Sequence, residues 1–175
     1  MRLMLLTKYL FALALLLCTG MPLAAQSTRS DFTHLTITMK VEGGPCLSLC
    51  LPDEYRGCCP AYSVSLNEHG TVTYNGVIGV KVRGEKVHSI SIAAVRDLVA
   101  EFLRINFYSL EDRYTEKKLP NGMTERIDHS NAATISIDID GKKKSIYIFY
   151  GAPDELIKLR QKLDEVTQIA QYTGR

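Results

Sequence analysis

Most of the motifs by which a sequence declares its chemistry are missing from this chain. It has no glycine-rich phosphate loop, no Gly-x-Ser-x-Gly elbow and no His-Glu-x-x-His, so the standard signatures of nucleotide binding, serine hydrolysis and zinc peptidase chemistry are absent. It has no Cys-x-x-Cys, and none of His34, His69, His88 and His129 is spaced i, i+4 on a helix. After residue 25 no apolar run approaches the ~20 residues that span a bilayer. An excess of one charge is also lacking once the N-terminus is set aside. A near-neutral chain with no basic stripe argues against nucleic acid as a partner.

What is present begins at the N-terminus. Arg2 and Lys8 precede an apolar run from Tyr9 to Cys18, and Gly20 and Pro22 break it before Leu23-Ala24-Ala25-Gln26. A basic start, a short apolar stretch and a small-residue exit describe a secretory signal peptide over residues 1–25, with cleavage after Ala25. The expected location is therefore the periplasm or cell surface. The alternative is lipoprotein processing at Cys18, where Leu17 stands in place of the small residue such processing wants; it would anchor the chain instead of releasing it. Removing Arg2 and Lys8 from 21 basic residues leaves 19 against 19 acidic ones. The remaining chain is long enough for one domain with a core. Residues 26–33 read as a flexible lead and 34–172 as a single domain.

Four cysteines remain: Cys46, Cys50, Cys58 and Cys59. An even number in an exported chain reads as disulfides, and because all four fall within one short segment they staple that segment and not the whole domain. Pairing of the adjacent Cys58 and Cys59 would force a strained ring. Two connectivities stay open: nested, Cys46–Cys59 with Cys50–Cys58, and crossed, Cys46–Cys58 with Cys50–Cys59. Pro52, Gly57 and Pro60 mark the whole stretch as a loop, and Leu51, Asp53, Glu54, Tyr55 and Arg56 are its candidate binding residues.

Hydrophobic periodicity supplies the rest. Leu35, Ile37, Met39 and Val41 alternate with Thr36, Thr38 and Lys40, the pattern of a half-buried strand. Tyr62, Val64 and Leu66 repeat it, and Asn67-Glu68-His69-Gly70 is a turn leading to a return strand over Thr71–Tyr74. Val77–Arg83 reads as another strand with Val80 and Val82 inward, Gly84-Glu85-Lys86 as a turn, and Val87–Ile90 as a short strand. Ser91 is a candidate N-cap for a helix whose buried stripe is Ile92, Val95, Leu98, Val99, Phe102 and Leu103, stopping at Asn106. Phe107–Leu110 is expected to cover the helix end. Residues 111–131 read as a long irregular polar loop with a turn at Pro120-Asn121-Gly122, and a loop of that length is mobile or functional. Thr134–Ile139, the Asp140-Gly141 turn and Lys142–Tyr150 form a second hairpin, the last strand central or covered on both faces. Pro153 suits the first position of a final helix with Leu156, Leu159, Leu163 and Val166 buried, fraying before Gly174. Hairpin connections throughout predict an α+β fold: a mostly antiparallel β-sheet with two helices packed against it, in the order strands, helix, two strands, helix.

Cys59-Pro60-Ala61-Tyr62-Ser63-Val64, followed by His69-Gly70-Thr71-Val72-Thr73-Tyr74-Asn75-Gly76, resembles the opening of an exported bacterial family known as domain of unknown function 6438. The likeness continues in Gly79-Val80-Lys81-Val82-Arg83-Gly84, Phe107-Tyr108-Ser109-Leu110 and Gly151-Ala152-Pro153-Asp154-Glu155-Leu156, over roughly residues 34–172. The family places its first cysteine a few residues before the Cys-Pro, whereas Cys46 here lies thirteen before Cys59, with Cys50 and Cys58 brought in between. The resemblance implies an envelope location, a single α+β domain and a bridge of the Cys46–Cys59 kind, which favours the nested pairing. It implies no activity.

No residue set carries a catalytic or cofactor expectation. The cysteines read as staples and not as a thiol redox or zinc site. Asp128-His129-Ser130-Asn131 reads as polar loop, since consecutive side chains point in different directions and make no triad. Asp138-Ile139-Asp140-Gly141 resembles the start of a calcium loop, but the later acidic positions are missing and Lys142-Lys143-Lys144 follows. The leading expectation is a non-catalytic exported domain that binds an envelope protein or glycan through the cysteine loop and the 111–131 loop. The alternatives are a thiol redox protein or other enzyme using Cys58 or Cys59, and an inhibitor that inserts its stapled loop into a target cleft.

Overall fold

The computed structural model describes residues 32–43, 59–128 and 131–174. The expected signal segment 1–25 and Cys18 lie outside these residues, as do Cys46, Cys50, Cys58, the candidate loop residues Leu51, Asp53, Glu54, Tyr55 and Arg56, and His129 with Ser130. The elements are β1 (Leu35–Glu42), β2 (Ala61–Asn67), β3 (Thr71–Ile78), β4 (Gly84–Ser89), α1 (Ile92–Arg104), a 3-10 turn (Phe107–Ser109), β5 (Arg113–Thr115), β6 (Lys117–Lys118), β7 (Thr124–Glu125), β8 (Ala132–Ile139), β9 (Lys142–Tyr150), α2 (Asp154–Val166) and a short α3 (Ala170–Thr173).

Alternating sequences need one dry and one wet face, and the strands assemble to provide them. Seven strands form one sheet in the order β4-β3-β2-β1-β8-β9-β5, and β6 and β7 form a separate hairpin. Every pair in the large sheet is antiparallel except β5, which runs parallel to β9. The fold is the mixed α+β arrangement expected. On the dry face Leu35, Ile37, Met39, Val64, Leu66, Val72, Ile135, Ile137 and Ile146 are buried, together with Val95, Leu98 and Phe102 of α1 and Leu156, Leu159 and Leu163 of α2. Each such side chain contributes about 1.5–3 kcal/mol by leaving water. The other face carries Thr36, Thr38, Ser63, Ser65, Thr134 and Ser136 and has no second layer of helix or sheet among the described residues, so β9 is buried along one face and not along two.

Several local expectations are met by the chemistry that motivated them. Ser91 caps α1, its Oγ accepting from the Ala94 N–H at 3.1 Å. The Asn67–Gly70 turn closes by a Gly70 N–H bond to the Asn67 carbonyl at 3.0 Å, while Asn67 Oδ1 accepts from the His69 and Thr71 amides. Phe107 closes the end of α1 edge-on against Phe102, with ring centroids 4.9 Å apart. Asp140 does more than turn the chain: its Oδ1 accepts from the amides of Thr33 and His34 and so pins the entry to β1.

Other expectations fail for identifiable reasons. Val77–Arg83 is not a strand. β3 runs on through Asn75-Gly76 to Ile78, and the predicted turn at residues 84–86 is the start of β4. The bend between them is held from elsewhere: the Lys81 and Val82 amides donate to the carbonyls of Thr173 and Tyr172, and the Tyr74 hydroxyl donates to the Val82 carbonyl. The final helix does not fray towards Gly174 as expected: it ends at Val166, and the residues beyond it are packed, with Ile169 buried. The chain turns at Gln168, with φ 54°, into α3, which stacks Tyr172 on Tyr74 at a 5.0 Å centroid separation. Pro153 caps α2 from one position before the helix and not from its first residue. Leu103, placed by period in the buried stripe, is 57% exposed.

One buried polar contact joins sheet to helix. The Tyr62 hydroxyl donates to Asp164 Oδ1 at 3.2 Å. Burial holds the Asp164 carboxyl above the ordinary carboxylate range, against the pull of the Tyr62 hydrogen bond and of Arg160. Burial, followed by the Asp164 charge, also raises the Tyr62 phenol. An acid whose folded pKa is raised binds its proton more tightly when folded. Its favourable contribution is therefore present at low pH and is lost as pH rises through the raised value. Asp164→Asn keeps an acceptor for Tyr62 without the charge. Urea unfolding across pH 4 to 7 should show the variant gaining on the wild type as pH rises; a difference that does not change with pH would sink this account.

Candidate functional site

The register places the described ends of the two sequence-marked stretches on neighbouring strands. β1 is antiparallel to both neighbours, so its C-terminal end meets the N-terminal ends of β2 and β8: Val41 pairs with Tyr62 on one side and Ala133 on the other, and Glu42 pairs with Ala132. The chain leaves the sheet at Gly43 and returns at Cys59. These roots touch, because a Cβ at Gly43 would lie 3.2 Å from the Cys59 carbonyl oxygen. The 111–131 segment re-enters the sheet next door at Asn131. Neighbouring strands are ~4.8 Å apart, so the roots of the cysteine loop and the re-entry of the 111–131 segment lie at one end of one sheet.

Cys59 is half-buried and is not a free thiol. No disulfide joins two described residues, and the choice between nested and crossed pairing rests on cysteines outside them. Pro60 is buried where the β2–β3 register slips at Ala61/Tyr62.

Residues 111–128 hold more regular structure than their polarity suggests, and the expectation of an irregular loop is corrected there. Arg113–Thr115 adds to the sheet as β5, anchored by the Tyr147 amide donating to the Asp112 carbonyl at 2.9 Å and by an ion pair between Lys144 and Asp112. The Arg113 guanidinium lies 4.5 Å over the Tyr147 ring. Beyond it, β6 and β7 pair around Leu119-Pro120-Asn121-Gly122, where the Gly122 amide donates to the Leu119 carbonyl at 2.9 Å. The hairpin is tied down by charge: Arg126 Nε and Nη2 both reach Glu116 Oε2, at 2.9 and 2.8 Å, and the Tyr150 hydroxyl donates to Glu125 Oε2 at 2.6 Å. That hydrogen bond, more than burial, raises the Tyr150 phenol. Alternation is absent from so short a strand, so periodicity had no means of finding β5.

Between β5, β6 and the end of β9 lies a polar cleft of about 550 Å³, lined by Glu111, Arg113, Thr115, Glu116, Lys117 and Lys118 among others. Its floor depends on Gly151, whose φ is +78° and where a Cβ would land on the Glu116 carbonyl. The cleft offers ammonium, guanidinium and carboxylate groups.

The remaining candidates are dispersed. His34 Nε2 lies 3.7 Å from Asp138, His69 Nε2 lies 3.3 Å from Glu68, and His88 Nε2 lies 3.0 Å from the Thr167 carbonyl, where it donates. Asp138 Oδ1 accepts from the Gly141 amide and its other oxygen is 3.2 Å from Lys143, which accounts for the Asp-x-Asp-Gly run as a turn. Among the described residues no group of three or more His, Cys, Asp or Glu could hold a metal ion, and no helix is long and apolar enough to cross a membrane.

A family model described as domain of unknown function (DUF6438) matches residues 55–167. No curated protein matches the chain. The matched span is narrower than the roughly 34–172 read from the resemblance, and β1 and α3 fall outside it.

Gly151→Ala tests whether the hairpin is held where the cleft requires. A left-handed backbone position and a lost close approach together should cost about 2 kcal/mol. Hydrogen exchange should accelerate at Tyr114 and Thr115 while β1 and β8 stay protected. Unchanged protection of β5 would show that the packing of this segment does not depend on Gly151.

Proposed function

The chain belongs to the family described as domain of unknown function DUF6438, and from that premise and the placement of its loops we propose a non-catalytic, exported domain that binds another component of the cell envelope, protein or glycan. The observation that carries the reading is the pairing of Glu42 with Ala132, which roots the cysteine loop and the 111–131 segment on adjacent strands at one end of the sheet. Loops displayed together by a rigid scaffold are where binding residues concentrate. The first loop is closed by Cys46–Cys59 with Cys50–Cys58 nested inside it, and Leu51, Asp53, Glu54, Tyr55 and Arg56 make its contacts. That Cys59 is not a free thiol supports this. A cross-linked loop loses less conformational freedom on binding. The second element supplies the charged cleft beside Gly151. Export through the signal segment 1–25 belongs to the same reading.

Mass spectrometry of the unreduced protein should find two quantitative bridges; a free or readily exchanging Cys58 would favour thiol chemistry instead. Replacing residues 47–57 by a Gly-Ser linker, and separately residues 117–125, should preserve cooperative melting. Both variants should lose the same partner from chemical cross-linking in an envelope fraction. If each variant still captures every partner of the wild type, the reading fails.

A further inference from the structure

At the opposite end of the sheet the fold leaves an apolar feature that the two loops do not explain. Between α1, the 3-10 turn and the β8–β9 hairpin lies a cleft of about 410 Å³ walled by Phe32, Val99, Leu103 and Ile139. Leu103 is the informative residue. Its helical period predicts burial, and its neighbours Val99 and Phe102 are buried, yet it faces solvent across more than half its surface. A lone exposed leucine is ordinary. A leucine that forms the wall of a concave apolar cleft is in the setting where small molecules bind, and the volume falls at the lower end of the roughly 300–1,000 Å³ range of such sites.

Of the described residues that line it, the charged ones are the cations Arg96 and Lys142. The Lys142 ammonium is held 4.1 Å over the Tyr108 ring, and the Tyr108 hydroxyl donates to the Lys142 carbonyl at 3.1 Å. The cation is thereby fixed beside the apolar wall instead of swinging free in water. An apolar pocket with fixed positive charge complements a molecule with a tail and an anionic head.

We propose that this cleft binds a single-chain amphiphile with a carboxylate head, the tail against Phe32, Val99, Leu103 and Ile139 and the head at Lys142. The small volume favours one medium-length chain over a two-chain lipid. The site is independent of the loop surface proposed above, since it lies at the other end of the strands, and the two readings can fail separately.

Decanoate is the probe, titrated into the mature protein by calorimetry and followed by amide chemical shifts. Saturable binding at one site is expected, with shifts confined to α1 and the β8–β9 turn. Decyltrimethylammonium, of equal chain length and opposite charge, should bind at least about tenfold more weakly. Lys142→Glu, at an exposed position, should weaken decanoate by a similar factor, and Leu103→Gln should weaken it with no change in melting. Equal affinity for the two head groups, or decanoate binding unaltered in both variants, would overturn the proposal. So would no saturation by about 1 mM decanoate. Binding to phosphatidylglycerol vesicles without binding of free decanoate would overturn it too, because that result assigns a membrane surface and not a pocket.

Discussion

The molecule depends on β1 being paired along both of its edges. On one side it zips to β2 and on the other to β8, over registers of six and eight residue pairs. Without it the β2–β3 hairpin and the β8–β9 hairpin share no strand edge, and the two hairpin-and-helix halves are joined by helix packing and by the contacts of Tyr62, Tyr74 and the 81–82 bend with the C-terminal helices. Its inward side chains Leu35, Ile37 and Met39 are fully buried, so the same eight residues supply backbone pairing and the centre of the core. The pairing is long-range: Ile37 lies opposite Ile137. Ordering so distant a contact costs chain entropy, and a hydrophobic strand with no polar residue on its inner face is what offsets it. The same constraint puts the loop roots together, since a strand paired antiparallel on both sides must bring the starts of both neighbours to its own end.

The residues by which the family is recognised turn out to be parts of this packing. Tyr62, of Cys-Pro-x-Tyr, fastens β2 to α2 through Asp164. Tyr74 is wholly buried, its phenol pushed up to about 12 by that burial, and its hydroxyl is occupied by the Val82 carbonyl. Gly76 is required because a Cβ there would strike the Val82 carbonyl and sit 2.5 Å from the Tyr74 hydroxyl. Gly151 is required by the passage of Glu116 and Lys117 across it. A motif built from such positions reports how the scaffold is closed, not what it does. Function is therefore sought where the motif residues are not, in the connections and at the ends of the strands.

What could be read from the sequence follows the same division. β1, β2, β8, β9 and both long helices were legible because each repeats its apolar residue at a fixed period, and a period is a local property. The bend at Gly79–Arg83 was not legible, because its hydrogen bonds go to Tyr172 and Thr173, about ninety residues away, and no local pattern encodes that partner. β5 escaped for a similar reason: three residues cannot show alternation, and its place is set by Asp112 and Lys144 meeting across the sheet edge. Leu103 misled because a helical stripe fixes which face is apolar, while the width of the covering layer decides where burial stops. Of the candidate site, the sequence named the two loops. That they spring from neighbouring strands required the register.

The ionisable groups that hold the scaffold pull in opposite directions with pH. At the start of β1, Asp140 accepts from the amides of Thr33 and His34, and Glu68 accepts from the Leu35 amide. Backbone hydrogen bonds are the leading cause that holds both carboxyls below their ordinary values. Such groups stabilise the fold above the ordinary carboxylate range and lose that contribution as pH falls through their lowered values. Asp164 has the reverse sign, since its burial is relieved when it takes a proton. Acid therefore loosens the clamp on the entry to β1 while easing strain at the β2–α2 contact. Both effects converge on the central strand and its nearest neighbour. Because Asp140 is exposed and Asp164 sits against the buried Tyr62 ring, salt acts on them unequally: it screens the Asp140 clamp more than the Asp164 carboxyl. Low pH with high salt is thus the condition that separates the two, weakening the N-terminal edge of the core while leaving the contact between sheet and helix in place.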